Sequence, residues 1–239
     1  MKYFSFIHFF LSLQFLWSMT TLCLSASTAS FRALRARSSL SDGASVSSPA
    51  RLSPASNAAK SVKLETLSGC KLGIAWYPDF AYNADGGGGS ACSVEDLEQG
   101  RLAVRFDPSS VSIPALSFST TKLLGLPLPP PLRIEIKPQA LEGVIDRHTG
   151  KVELRFIAEF FFTAGPVYRA PALVVDTLLT TGSSSGKHRS GQGIAMDENG
   201  SCKLVGTAVI DKVSDGFLDA FLALPSECLA EMYARITVT

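Results

Sequence analysis

Acidic residues are nearly absent from the first sixty positions of this 239-residue chain, where Asp42 stands alone against six basic side chains. The remaining 179 residues reverse the balance, with 16 basic and 20 acidic residues, so the overall +1 joins a leader of net +5 to a body of net −4. A mildly acidic body offers no basic patch to neutralise phosphates, which argues against nucleic-acid binding. Histidine is scarce: the chain holds three, of which only His148 and His188 lie in the body, too few for most histidine-based metal sites. Cysteine never occurs as a Cys-x-x-Cys pair. Cys70, Cys92, Cys202 and Cys228 remain once Cys23 leaves with the leader. They allow three pairings in an oxidising compartment, whereas in a reducing one they read as buried free thiols. Long apolar runs are absent after Leu24, so the mature form is expected not to span a membrane.

What is present begins with an address. Lys2 precedes an apolar run, Phe6 to Leu24, that closes on the small residues Ser25 to Ser30. Basic start, apolar centre and small-residue cleavage zone define a secretory signal peptide over residues 1–30. An uncleaved anchor is the alternative, but Ser12, Gln14, Ser18, Thr20 and Thr21 make the run a poor membrane helix. Phe31 to Lys60 carries four arginines and a lysine with abundant Ser and Ala, the composition of a transit peptide and of a disordered segment. Residues 61–239 are then of a length to form one domain.

Period-two alternation dominates that domain. Leu132 to Lys137 sets Leu, Ile, Ile against Arg, Glu, Lys. Lys151 to Phe156 repeats the pattern and runs into the apolar Ala158 to Phe162, and Cys228 to Val238 alternates throughout. A half-buried strand requires this, because successive side chains point to opposite faces. On that basis Phe156 is a buried strand residue, and its replacement by Ala is expected to cost roughly 3–5 kcal/mol. Hairpins are expected around Asp146 to Gly150 and around Glu198 to Ser201, where Asn199-Gly200 is a strong turn signal. Further strands are expected at Gly69 to Tyr77, Arg101 to Phe106, Ala172 to Thr181 and Gly193 to Asp197.

Two short helices are expected: Ser93 to Gly100, with a Ser cap and a Gly stop, and Asp215 to Leu224, with Phe217, Ala220, Phe221 and Leu224 on one face. Loops fall at Asp85 to Ser90, Leu126 to Pro131 and Gly182 to Lys187. The proline run reads as a stiff spacer rather than a docking segment for a polyproline reader. About nine strands with short turns and no long intervening helices give an all-β antiparallel sandwich or barrel.

No motif yields a catalytic set. Gly182-Ser-Ser184-Ser-Gly186 matches a nucleophile-elbow pattern, but no helix follows it and His188 is too close in sequence to complete the usual order. A phosphate-binding loop fails twice, since Thr181 stands where glycine is required and His188 follows Lys187. Asn199-Gly200-Ser201 is an N-glycosylation sequon on a turn. For an enzyme whose residues converge only in the fold, the candidates are His148, His188, Asp146 and Asp176. The aromatic run Phe160-Phe-Phe162 either lines a cavity or packs as ordinary core.

The leader as a whole resembles the bipartite signal-plus-transit leaders of algae with complex plastids, such as diatoms and brown algae. In those leaders a Phe heads the transit part, and Thr28-Ala29-Ser30-Phe31 is similar, with Ser30 where Ala is usual. Leu141 to Gly150 and Leu224 to Cys228 faintly resemble a plastid-targeted family of plants and algae with no assigned activity, over roughly residues 130–239. Together the resemblances imply a non-enzymatic plastid protein, reached through the secretory route, with secretion the alternative destination. Its expected role is to bind a small apolar ligand, a lipid or a pigment, or a thylakoid protein partner. No cofactor, metal site or catalytic residue is implied. An assembly factor of a photosynthetic complex, or an enzyme with a hidden site, is the competing expectation.

Overall fold

The computed structural model describes residues 60–239, apart from Ala75. The expected signal peptide with Cys23, and the expected transit segment from Phe31 up to residue 59, lie outside the described residues.

The body is an antiparallel barrel. Its ring is built from β1 (Val62–Thr66), β4 (Gly88–Asp96), β5 (Arg101–Phe106), β8 (Leu132–Asp146), β9 (Val152–Ala164), β11 (Leu173–Thr180), β14 (Ser201–Ile210) and β15 (Ser226–Val238), paired in that order. β15 then pairs back onto β1, from Val62 opposite Val238 to Thr66 opposite Ala234, and so closes the ring. Closure leaves no free edge along this belt.

A second arc extends the wall. β2 (Cys70–Ile74) continues beyond β1 along the same strand β15, followed by β3 (Phe80–Tyr82), β6 (Thr121–Leu123) and the short β7 (Leu126–Pro127). A bridge from Leu116 to Ile134 returns this arc to β8. The β8–β9 turn marks the base of the barrel. At the opposite end β14 passes to the helix α1 (Gly216–Leu222), which leads into β15 and caps that end. Asp215 accepts from the Leu218 amide at 2.8 Å, while Leu218 and Leu222 turn inward. β10 (Tyr168–Arg169) folds back on β9, and β12 (Ser183–Ser185) pairs with β13 (Ser190–Gln192) as a separate hairpin.

Alternation explains the filling of the lower half. On β9 the inward residues Val152 and Leu154 are fully buried, as are Leu102, Ile145 and Leu204 across the barrel. Eight strands enclose just enough room for such side chains to meet.

The expected barrel and most of its strands are present, with several corrections. Ser93 to Asp96 is strand, not helix: Val94 opposes Val104 on β5, and this pairing outweighs the local capping signal, leaving one 3-10 turn at Glu98–Gly100. Leu132–Lys137 and Leu141–Ile145 form one strand, joined through a bulge between Pro138 and Ala140. Half of the loop expected at Gly182 to Lys187 is β12, and Gly88 to Ser90 already belongs to β4. Gly88 suits that place, since a Cβ there would sit 2.0 Å from the Leu64 carbonyl oxygen. Gly193 to Asp197 provides only the bridge from Ile194 to Lys203. The proline run is partly strand, and Leu128 and Pro129 are buried in the wall, which removes that stretch as a docking segment. None of the four cysteines forms a disulfide; Cys70 and Cys202 are buried as expected, whereas Cys92 is exposed.

Candidate functional site

The upper half of the barrel has its own buried cluster, with Phe162, Leu173, Ile210, Leu218 and Leu222, but is not completely filled. Between the packed lower core and α1 lies a cavity of about 150 Å³. Its floor is made by Ile113, Phe156, Leu179 and Met232, which also pack against the lower core. Phe160, Phe162, Leu173, Val175, Leu116 and Ile134 form its walls, and Tyr77, Phe221 and Leu222 its roof. The space exists because β14 and β15 send small residues inward at this level: Gly206 and Ala230, paired with each other, line the cavity where the lower layer has Leu204 and Met232.

Polar side chains border the cavity, yet no polar atom faces it. The Tyr77 hydroxyl donates to the Phe221 carbonyl at 2.5 Å, and the Tyr82 hydroxyl donates to the Pro114 carbonyl. Thr177 donates to the Thr207 carbonyl at 3.0 Å. Each hydroxyl is thereby satisfied in the wall and withdrawn from the interior. Burial pushes both tyrosines up and raises the Cys228 thiol to about 11, so none of these groups ionises near neutrality. The chamber offers an apolar lining that can solvate hydrocarbon.

The wall has one weak seam. β9 and β11 pair over eight residue positions, β14 and β15 over ten, but β11 and β14 meet in register only at Thr180 and Val205. Above that point hydroxyls replace the ladder. Thr207 receives Thr177 at its carbonyl and gives its amide to Ser184 Oγ at 3.0 Å, while Ser184 also bonds the Thr207 hydroxyl at 2.9 Å. A Cβ at Gly206 would lie 2.6 Å from Thr177 Oγ1, so the seam closes only because that residue has no side chain.

The candidates named from sequence do not converge. Asp146 and His148 occupy the exposed basal turn, where Asp146 accepts the His148 amide at 2.8 Å and the Thr149 amide at 3.1 Å, which hold its carboxyl low. Asp176 faces outward on β11, bound to Arg155 at 2.7 Å, and that pairing lowers its pKa. His188 lies at the tip of the β12–β13 hairpin, its ring tilted against Trp76 with centroids 4.7 Å apart. Glu227 secures that tip by accepting the amides of Lys187, His188 and Arg189, which depress its pKa. Ser184 of the elbow-like motif lies on a strand with Thr207, not histidine, as its partner. Among the described residues no group of three or more His, Cys, Asp and Glu is placed to hold a metal ion. No helix among them is long and apolar enough to cross a membrane. Asn199 of the sequon is exposed on its turn.

Of the aromatic run, Phe160 and Phe162 line the cavity, while Phe161 points outward beneath Lys137, whose Nζ is 4.8 Å from the ring centre. Tyr77, Tyr82, Thr177 and the floor residues Ile113, Leu179 and Met232 are not singled out in the sequence, whereas Phe156 reads there as a buried strand residue. Only the inward alternation Phe156, Ala158, Phe160, Phe162 hinted at them. Comparison of the chain with protein-family models, curated proteins and solved structures finds no match.

Proposed function

We propose that this protein is a non-enzymatic binder of a small apolar ligand, a lipid or a pigment whose apolar part enters the barrel, and that it acts in a plastid close to the thylakoids. The observation that carries the binding reading is the cavity itself: a closed barrel leaves an apolar chamber at one end and ties every neighbouring hydroxyl into the wall. Native interiors are close-packed, so an unfilled space of this size is most simply maintained for a ligand. Asp146 and His148 share the exposed basal turn, while Asp176 and His188 lie on other elements and none of the four lines the cavity, which supports a binding rather than an acid–base reading.

The plastid location rests on the sequence of residues 1–60. Two measurements test the proposal. Native mass spectrometry of the protein purified from its source should reveal a bound hydrocarbon-rich molecule; a chain that stays empty when purified without detergent would count against ligand binding. Residues 1–60 fused to a fluorescent protein should accumulate in the plastid, and Phe31→Ala should hold the fusion outside its inner membranes. Secretion of the unaltered fusion would overturn the location while leaving the ligand question open.

A further inference from the structure

We infer that the cavity takes the end of one hydrocarbon chain, acyl or prenyl, that the chain's polar group stays at the α1 end, and that Phe156 sets how far the chain penetrates. This rests on the ligand-binding reading above and narrows it to one class and one orientation.

Size comes first. A cavity of about 150 Å³ is far below the roughly 300–1,000 Å³ of clefts that enclose a drug-sized molecule. An apolar cavity of that volume in another protein stays dry and accepts benzene. A whole pigment or a lipid with its headgroup is therefore too large, whereas one narrow hydrocarbon end fits.

Chemistry fixes the orientation. A buried hydroxyl or carboxylate would find no partner, because no polar atom of the lining faces the cavity. The base is sealed by fully buried residues such as Leu154, Ile145 and Leu204, so a chain cannot come in from below. At the other end the roof is a seven-residue helix and the Tyr77 loop, and the half-buried Tyr77 and Phe221 are its thinnest part.

Depth belongs to Phe156. It sits between Leu141 on β8 and Thr177 on β11, lines the cavity from the floor, and packs below against the lower core. Its ring therefore marks the boundary between filled and unfilled barrel.

The test uses the full chain and isothermal calorimetry with 1-hexanol through 1-tetradecanol, the matching α,ω-diols, and geraniol and farnesol as prenyl counterparts. Affinity should rise about four-fold per methylene until the chain fills the cavity, then level off. A diol short enough to lie wholly inside should bind at least about ten-fold more weakly than its mono-alcohol. In Phe156→Ala the plateau should move to chains longer by roughly two methylenes. Phe156→Leu should move it less in the same direction, and serves if the alanine variant does not fold. Phe161→Ala, altered on the outer face, should behave as wild type. Diols binding as well as mono-alcohols would overturn the orientation, and an unmoved plateau in a folded Phe156 variant would overturn the depth assignment. If no alcohol of any length binds the wild type, the ligand-binding reading itself falls. Whether linear or prenyl alcohols bind more tightly identifies the source of the chain.

Discussion

At the scale of single residues, Leu154 and Phe156 are two steps apart on one strand and face the same way, but they stand in different surroundings. Leu154 is fully buried in the lower core, whereas Phe156 is half-buried with part of its ring against empty space. Truncating Leu154 opens a void where none existed and should cost about 3–5 kcal/mol. Phe156→Ala enlarges an existing void and loses fewer neighbours, so its cost should fall to about 1–3 kcal/mol, below the value expected from alternation alone. Denaturant melts of the two variants decide the matter, and a larger loss for Phe156 would mean that the cavity is filled from below. The pair also shows what period two conveys. It fixed which face of β9 points inward, but the space beside that face depends on Gly206 and Ala230, more than forty positions away.

At the scale of elements, strands with strong alternation were legible to within a few residues: Arg101–Phe106 matches the expected span, and β9, β11 and β15 nearly do. Elements set by distant partners were not. Ser93 to Asp96 carries good helix-start residues, yet β5 makes it strand. Gly182 to Lys187 reads as loop, yet Glu227 gathers three of the amides at its hairpin tip. The β11–β14 seam was equally hidden, because a missing ladder leaves no mark in either strand's own sequence. Its hydroxyl replacements make a second prediction. Ser184→Ala leaves the Thr207 amide without its acceptor, and Thr177→Val leaves the Thr207 carbonyl without its donor. Each should cost about 1–3 kcal/mol, and hydrogen exchange should quicken at the Thr207 amide in Ser184→Ala more than at amides in the β8–β9 ladder. Uniform quickening across both ladders would show that the seam opens only by global unfolding.

At the scale of the whole molecule, the groups whose ionisation the fold opposes are acids that burial keeps neutral. Desolvation raises Cys202 and Cys228 from 9.0 to about 11, raises Cys70 as well, and lifts Tyr168, which also donates to Asp215, from 10.0 to about 12. For such groups the folded state holds its proton more tightly than the unfolded chain. Their stabilisation is therefore complete below the unfolded pKa near 9.0 and is lost as pH rises toward about 11. The carboxylates run the other way. Asp107, Asp146, Asp176 and Glu227 are held below their ordinary values of 3.8 to 4.5, so their contribution is present above that range and disappears as pH falls through their lowered folded values. These carboxyls are exposed and solvent-screened, so the acid limb should be shallow and the alkaline limb steep. Melting temperatures should be level from about pH 5 to 8 and drop progressively between pH 9 and 11. The double variant Cys202→Ala, Cys228→Ala should start from a slightly lower plateau and lose less between pH 9 and 11, the remaining drop coming from Cys70 and the tyrosines. A wild-type curve that stays level through pH 11 would mean that the thiols reach water readily, and that the upper barrel around Cys228 is more open than its packing indicates.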